Sequence, residues 1–166
     1  MILTKDEILK EINSKNIAIT PFNEDNIGAA SYDVTLADTF RIFKKFEVDV
    51  NEDTDYKKIT KKIKSEFYEL KPGEFVLGLT EEKIKLPGNI CGFITGRSRF
   101  ARLGLMVHIT ACFIQPGVNN KQVLEIRNVG NCNLKLYPGT KVGQIIFEHC
   151  DGACKYKGKF KNQKSL

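Results

Sequence analysis

The sequence predicts a mainly β fold, a sandwich or barrel of one domain, and three observations carry that expectation. Four of the five prolines are followed by glycine, at Pro72-Gly73, Pro87-Gly88, Pro116-Gly117 and Pro138-Gly139. A Pro-Gly pair presets the first central position of a type II turn and supplies positive φ at the second. Each pair is followed by a short apolar run: 74–79, 90–95, 123–126 and 142–147. Strands of that length between such turns belong to sandwiches and barrels. The 166 residues are 42% hydrophobic and 28% charged, ordinary for a globular chain with one buried core.

The elements follow in order. Thr4-x-x-Glu7 reads as a capping box, and Ile8, Leu9 and Ile12 form an apolar stripe at helical spacing. This predicts a short N-terminal helix that stops at Asn13 and Ser14. Beyond it the periodicity becomes that of strands. Residues 44–64 are charge-dense and read as a solvated excursion with one helical turn. No solenoid repeat or low-complexity linker divides the chain, so residues 1–166 are expected to form one domain.

Several function classes recede on composition. No run of eighteen apolar residues exists, and the opening MILTKDEILKEI lacks the apolar core and cleavage site of a signal peptide. A cytoplasmic protein without a membrane partner is expected. Five irregularly spaced cysteines do not form a secreted disulfide framework. His149, Cys150 and Cys154 lie close in sequence, but no second ligand pair stands at zinc-finger spacing, so reduced thiols are expected and no metal ligand is assigned. The net charge of +6 is uneven, because residues 155–166 hold five lysines and no acid. Such a basic segment with aromatics can bind nucleic acid, close over a triphosphate, or remain a solvated terminus.

Two stretches carry chemistry. In 96–105, Arg97, Arg99 and Arg102 surround Ser98 just after an apolar run. Guanidinium forks suit phosphate oxygens, and backbone N–H groups after a glycine extend such a cradle; a surface ion-pair cluster is the alternative. It is not a Walker loop, since no Gly-Lys-Ser/Thr follows. In Gln122–Asn128, alternation puts Val123, Glu125 and Arg127 on one face and Leu124, Ile126 and Asn128 on the other. Glu125 is therefore either solvated or open to a site, where it could serve as general base or acid.

The order of motifs resembles that of dCTP deaminases, relatives of the trimeric dUTPases. It runs through Pro21-Phe22, Ala30-Ser-Tyr-Asp-Val34, Arg97-Ser98-x-x-Ala-Arg-Leu-Gly-Leu105, His108-Ile-Thr-Ala111, Pro116-Gly117 and Val123-Leu-Glu125. It continues with Tyr137-Pro-Gly139, Gly143-Gln144-x-x-Phe147 and the tail from Tyr156 to Gln163. The resemblance covers nearly the whole chain and passes over mainly the charged insertion. It implies a distorted β-barrel of jelly-roll type and a homotrimer with active sites between subunits. Residues 155–166 would form a basic C-terminal tail closing over the nucleotide, which removes nucleic acid as the expected partner.

By resemblance, Glu125 activates the water that attacks C4 of cytosine, while Ser98, Arg102 and the carbonyl of Ala111 hold that water and the departing amine. Arg97, Arg99, Gln115, Val123, Leu124, Gln144, Tyr156, Lys159 and Gln163 fall at or beside nucleotide-binding positions. Mg²⁺ would accompany the triphosphate. Zinc deaminases carry H-x-E and P-C-x-x-C, and neither occurs here, so the resemblance implies a zinc-independent hydrolase.

Three positions depart from the family pattern. Arg99 stands where the family usually has serine, and Asn119-Asn120-Lys121 replaces a stretch that normally includes glycine. Gln115 stands before Pro116 where an Asp is usual, and glutamine cannot act as the base that activates water against phosphate. The expected reaction is therefore dCTP and water to dUTP and ammonia. Alternatives are a dUTP pyrophosphatase or a bifunctional deaminase, and a non-catalytic nucleotide-binding relative.

Overall fold

Three of the four Pro-Gly pairs form the left-handed turn they predict. In the computed structural model, which describes residues 1–44 and 47–166, φ is +77° at Gly73, +79° at Gly117 and +83° at Gly139. Gly88 lacks positive φ, which corrects the expectation there. Its reason to be glycine is a neighbour: a Cβ on Gly88 would lie 3.3 Å from the carbonyl oxygen of Cys154.

The chain begins with α1 (Lys5–Asn13) and β1 (Ala18–Thr20), then a 3-10 turn over Glu24–Asn26 and β2 (Tyr32–Phe43). Next come α2 (Tyr56–Ile59), β3 (Thr60–Lys64), β4 (Tyr68–Leu70), β5 (Phe75–Lys85) and β6 (Ile90–Gly96). α3 (Ser98–Ala101), β7 (Leu105–Met106), β8 (Phe113–Ile114), β9 (Asn119–Asn128), β10 (Leu134–Leu136) and β11 (Lys141–His149) complete it. The predicted helix is present and Ile8 is fully buried. Thr4 occupies the N-cap but makes no side-chain cap bond. The Lys5 N–H, another of the helix's unpaired first donors, is met by the Ala29 carbonyl of a neighbouring loop at 2.8 Å.

The expected mainly β barrel takes the form of a curled nine-stranded sheet with the path β7-β9-β5-β2-β11-β6-β8, to which β1 adds at β5 and β3 at β2. A small β10-β4 pair stands apart. The excursion at 44–64 does contain one helical turn, α2, although residues 45 and 46 lie outside the described ones. Its far end is not excursion. Thr60–Lys64 pairs with Thr39–Phe43 of β2, backbone bonding having prevailed over a lysine-rich sequence.

The core gathers Ile8, Tyr32, Leu36, Phe40, Leu124, Ile126, Ile145 and Phe147. Each such side chain contributes about 1.5–3 kcal/mol on burial. On β9 the alternation holds: Leu124, Ile126 and Asn128 are buried, and Val123 and Glu125 are half-buried. The buried Asn128 amide donates to the Leu70 and Cys132 carbonyls and accepts from Gly130 N–H, so it carries no unpaired group. A smaller cluster joins Ala37, Leu77, Leu79 and Leu166, with Tyr56, Phe75 and Val123 packed on it.

Candidate active site

Glu125 faces outward from the core side of β9 because its neighbours Leu124 and Ile126 point inward. Its Oε2 accepts the backbone N–H groups of Ile109 (2.9 Å) and Thr110 (3.1 Å). Two charge-assisted bonds to one oxygen fix the carboxylate and the loop between β7 and β8 against each other.

A cavity of about 410 Å³ opens beside this carboxylate. Ala111, Gln115, Val123, Glu125, Tyr156 and Gln163 line it, six residues the sequence had marked. Phe43, Tyr56, Phe75, Phe113 and Phe160 line it too and had not been singled out. The Ala30–Val34 and tail motifs offered no hint of the first four: Phe43, Phe75 and Phe113 look like core aromatics, and Tyr56 lies in the charge-dense stretch that reads as a solvated excursion. The volume and mixed lining suit a small organic ligand with a planar face.

The basic segment folds over the cavity along β9. Asn119 N–H donates to the Lys161 carbonyl and Lys121 N–H to the Gln163 carbonyl, both at 2.9 Å. The Asn120 side-chain amide donates to the Phe160 carbonyl at 2.7 Å. The root of the segment is gripped between two Pro-Gly loops: Cys154 N–H bonds to Gly88 O and Tyr156 N–H to Pro116 O. A Cβ on Gly117 would meet Lys155 Cα at 2.9 Å, so glycine is required there by contact as well as by φ. Lys159 lies in the adjoining lysine-rich hollow, not in the cavity, with Nζ 5.9 Å from the Phe160 ring.

A second group of marked residues sits around α3. Arg97 stands just before the helix, without a side-chain cap bond, and is half-buried, with Nη2 3.0 Å from Asp33 Oδ2 and Nη1 donating to the Lys141 carbonyl at 2.9 Å. Burial pushes the Asp33 carboxyl above its ordinary value, opposed by Arg97 and then Lys141. Gln144 on β11 accepts from Ser31 Oγ at 2.9 Å and donates to Gly96 O at 3.3 Å. Ser31 and Asp33 are thus the partners that the Ala30-Ser-Tyr-Asp-Val34 motif supplies. Ser98, Arg99 and Arg102 are exposed, with Arg99 5.6 Å from the Phe100 ring.

None of Arg97, Ser98, Arg99, Arg102 and Gln144 lines the cavity that holds Glu125. The structure therefore brings the marked residues together as two groups. Leu124 joins neither, because its side chain is fully buried in the core. The five cysteines are unbridged, and no helix among the described residues is long and apolar enough to cross a membrane.

With this geometry in view, similarity to known proteins is specific. The sequence model of the dCTP deaminase-like family matches residues 2–150. A dCTP deaminase, dUMP-forming, of Nocardioides sp. is 36% identical, the match covering 99% of this chain and 92% of the relative. One of the same description from Beutenbergia cavernae is 38% identical over 89% of this chain and 79% of its own. Among solved structures, the 2′-deoxycytidine 5′-triphosphate deaminase of Agrobacterium tumefaciens superposes with a TM-score of 0.69 at 18% identity. That match covers 88% of this chain but 47% of the Agrobacterium protein, so the chain spans about half its length. The dUTPase of Staphylococcus aureus phage phi11 gives a TM-score of 0.54 at 13% identity, covering 86% of this chain and 96% of the phage protein. The likeness of both structures shows the fold. The family match and the two sequence relatives carry more: the chain belongs to the dCTP deaminase-like family.

Proposed function

We propose that the chain deaminates dCTP and carries the product on to dUMP. The observation that carries the deaminase reading is Glu125, a carboxylate fixed at the edge of a cavity in a member of this family. With Oε2 occupied by two N–H groups, Oε1 accepts a proton from a water placed against C4 of cytosine. The water oxygen bonds to C4, and the tetrahedral centre collapses as the C4–N4 bond breaks. Glu125 returns its proton to the departing nitrogen, which leaves as ammonia.

The carbonyl of Ala111 holds the amine or water beside it. Ser98 and Arg102 stabilise the charge that develops at the tetrahedral centre. Because these two lie outside the cavity of their own chain, they act on that of a neighbouring copy, and the working unit is a homotrimer. Arg97, Arg99, Gln144 and Lys159 meet the phosphates, with Tyr156 and Gln163 closing over the sugar and base. dCTP enters as its Mg²⁺ complex, the ion belonging to the triphosphate. The water-activating step assigns no role to zinc, in keeping with the missing H-x-E and P-C-x-x-C signature.

The relatives named dUMP-forming favour a second step, in which another water releases diphosphate from dUTP. Gln115 favours a different end: it lines the cavity where the family usually has an Asp, which supports release of dUTP itself. Both outcomes are read from one experiment with dCTP and Mg²⁺, measuring ammonia and diphosphate separately. Equal amounts establish dUMP as product, and ammonia without diphosphate establishes dUTP. Diphosphate without ammonia, or neither, overturns the deaminase reading.

A further inference from the structure

Residues 44–64 are the part of the chain that the resemblance passes over, yet Tyr56 within them reaches the cavity. α2 is a single turn closed at both ends: Asp55 accepts Lys57 N–H at 3.0 Å, and Thr60 Oγ1 donates to the Tyr56 carbonyl at 2.7 Å. Its first residue, Tyr56, lines both the cavity beside Glu125 and the lysine-rich hollow formed with residues 157–165. Phe160 and Gln163 line both as well, so the Tyr56 ring stands with them between the two hollows.

That ring is held in place. The Arg41 guanidinium lies 5.8 Å from its centroid and Lys57 Nζ lies 5.9 Å from it. Arg41 is itself anchored by donating to Thr60 Oγ1 at 3.0 Å. The Tyr56 hydroxyl accepts a hydrogen bond from Gln163 Nε2 at 3.4 Å. At that length the bond is weak enough to exchange for another partner. Burial pushes the hydroxyl above its ordinary pKa, so it remains a neutral hydrogen-bonding group through the working range.

We propose that Tyr56 is the docking post of the 155–166 segment: its clamped ring walls the cavity, and its hydroxyl holds the Gln163 amide until nucleotide replaces it. Tyr56 is a positioning residue, since it acts on the reaction through the closing segment. The proposal rests on the cavity being the nucleotide site. Closure held in readiness reduces the ordering that binding must impose, so loss of Tyr56 raises KM more than it lowers kcat.

The test uses the full chain, its Y56F and Y56A variants, and each of these lacking residues 156–166. Trypsin cleavage at Lys157–Lys164 in the ligand-free protein reads docking without reference to activity. Cleavage is expected to quicken by about tenfold in Y56A and about threefold in Y56F, as the docked population falls. KM for dCTP should rise by about the same factors, with kcat within about twofold. In the shortened background Y56F, which keeps the ring that walls the cavity, should change KM no further. Unchanged cleavage in both variants overturns the proposal, as does a Y56F effect on KM of equal size with and without the segment. If Y56A lowers the melting midpoint, Y56F decides, because it keeps the ring and loses only the hydroxyl. Faster cleavage in proteins that never turn over dCTP would keep the docking post and defeat the nucleotide reading instead.

Discussion

The cavity around Glu125 and the surface around α3 are built to different standards of completion. The first has walls from β5, β8 and β9, a covering from residues 156–163, and a carboxylate tied down by two backbone bonds. The second has rigid roots, Arg97 on Asp33 and Gln144 on Ser31, but its outer groups Ser98, Arg99 and Arg102 stand in solvent. An exposed arginine is screened and mobile, and stabilises little. Such groups become effective when a second surface excludes water around them. The contrast teaches that, on the function proposed above, the first group is complete within one chain while the second is left for a neighbouring copy to enclose.

The most severe way to break this contrast is Glu125→Gln. It keeps the shape and removes the base, and kcat should fall by about 10³-fold while nucleotide binding, measured by calorimetry, stays near normal. Arg102→Ala should cost about 10²-fold or more in kcat. Mixing the two inactive proteins and allowing subunits to exchange should then restore about a quarter of the native activity. In a cyclic trimer with sites shared between neighbours, a random mixture pairs an intact Glu125 with an intact Arg102 in one site of four. No recovery after verified exchange would put both residues in a single chain's site and defeat the shared-site reading.

Removing residues 156–166 sharpens the comparison from the other side. KM should rise by about tenfold or more and kcat should fall with it, since the covering both holds nucleotide and excludes water. Steady-state kinetics on the shortened chain check this, and unchanged constants would return the segment to a solvated terminus.

The smallest effect concerns stability alone. Glu82 is buried at 2% exposure, its Oε2 accepting only the Thr35 N–H in the hydrogen bonds described, and burial raises its carboxyl above the ordinary value. A group whose folded pKa lies above its unfolded one costs nothing while both states are protonated. As pH rises past the unfolded pKa, the unfolded chain loses its proton first and stability falls, until the folded group has titrated as well. Glu82→Gln keeps an acceptor for Thr35 and removes this loss. Thermal melts should show a higher midpoint for the variant at pH 8 and little difference near pH 4. A variant less stable at both values would show that Glu82 is needed as a carboxylate.

The legible parts of the fold were those that local chemistry decides. Gly73, Gly117 and Gly139 take positive φ in turns because no other residue does so cheaply, and a two-residue period places Leu124 inside and Glu125 outside. The parts that misled depend on distant partners. Thr4 stands at the N-cap as its neighbours foretell but makes no side-chain cap bond, while Ala29 of a separate loop takes the Lys5 N–H. Lys61, Lys62 and Lys64 read as solvent-facing excursion, and they are solvent-facing, but on a strand recruited by β2.

The site divides in the same way. Ala111, Gln115, Glu125, Tyr156 and Gln163 could be marked because their order along the chain follows the family's. Phe43, Phe75 and Phe113 could not be separated from core aromatics, since which face of a curled sheet is left open emerges only on folding, and Tyr56 was hidden in a charge-dense stretch that reads as solvated. That Ser98 and Arg102 would lie outside the cavity was likewise invisible, as adjacency in motif order carries no information about which face receives each residue.

One pair of backbone bonds has a practical meaning. The amides of Asn119 and Lys121 are bonded to the carbonyls of Lys161 and Gln163 and sit on the strand that carries Glu125. Their hydrogens can trade with solvent deuterium only while the covering segment is lifted. They serve as unlabelled gauges, set six and four residues from the carboxylate, whose exchange clocks each opening at the place where substrate would pass.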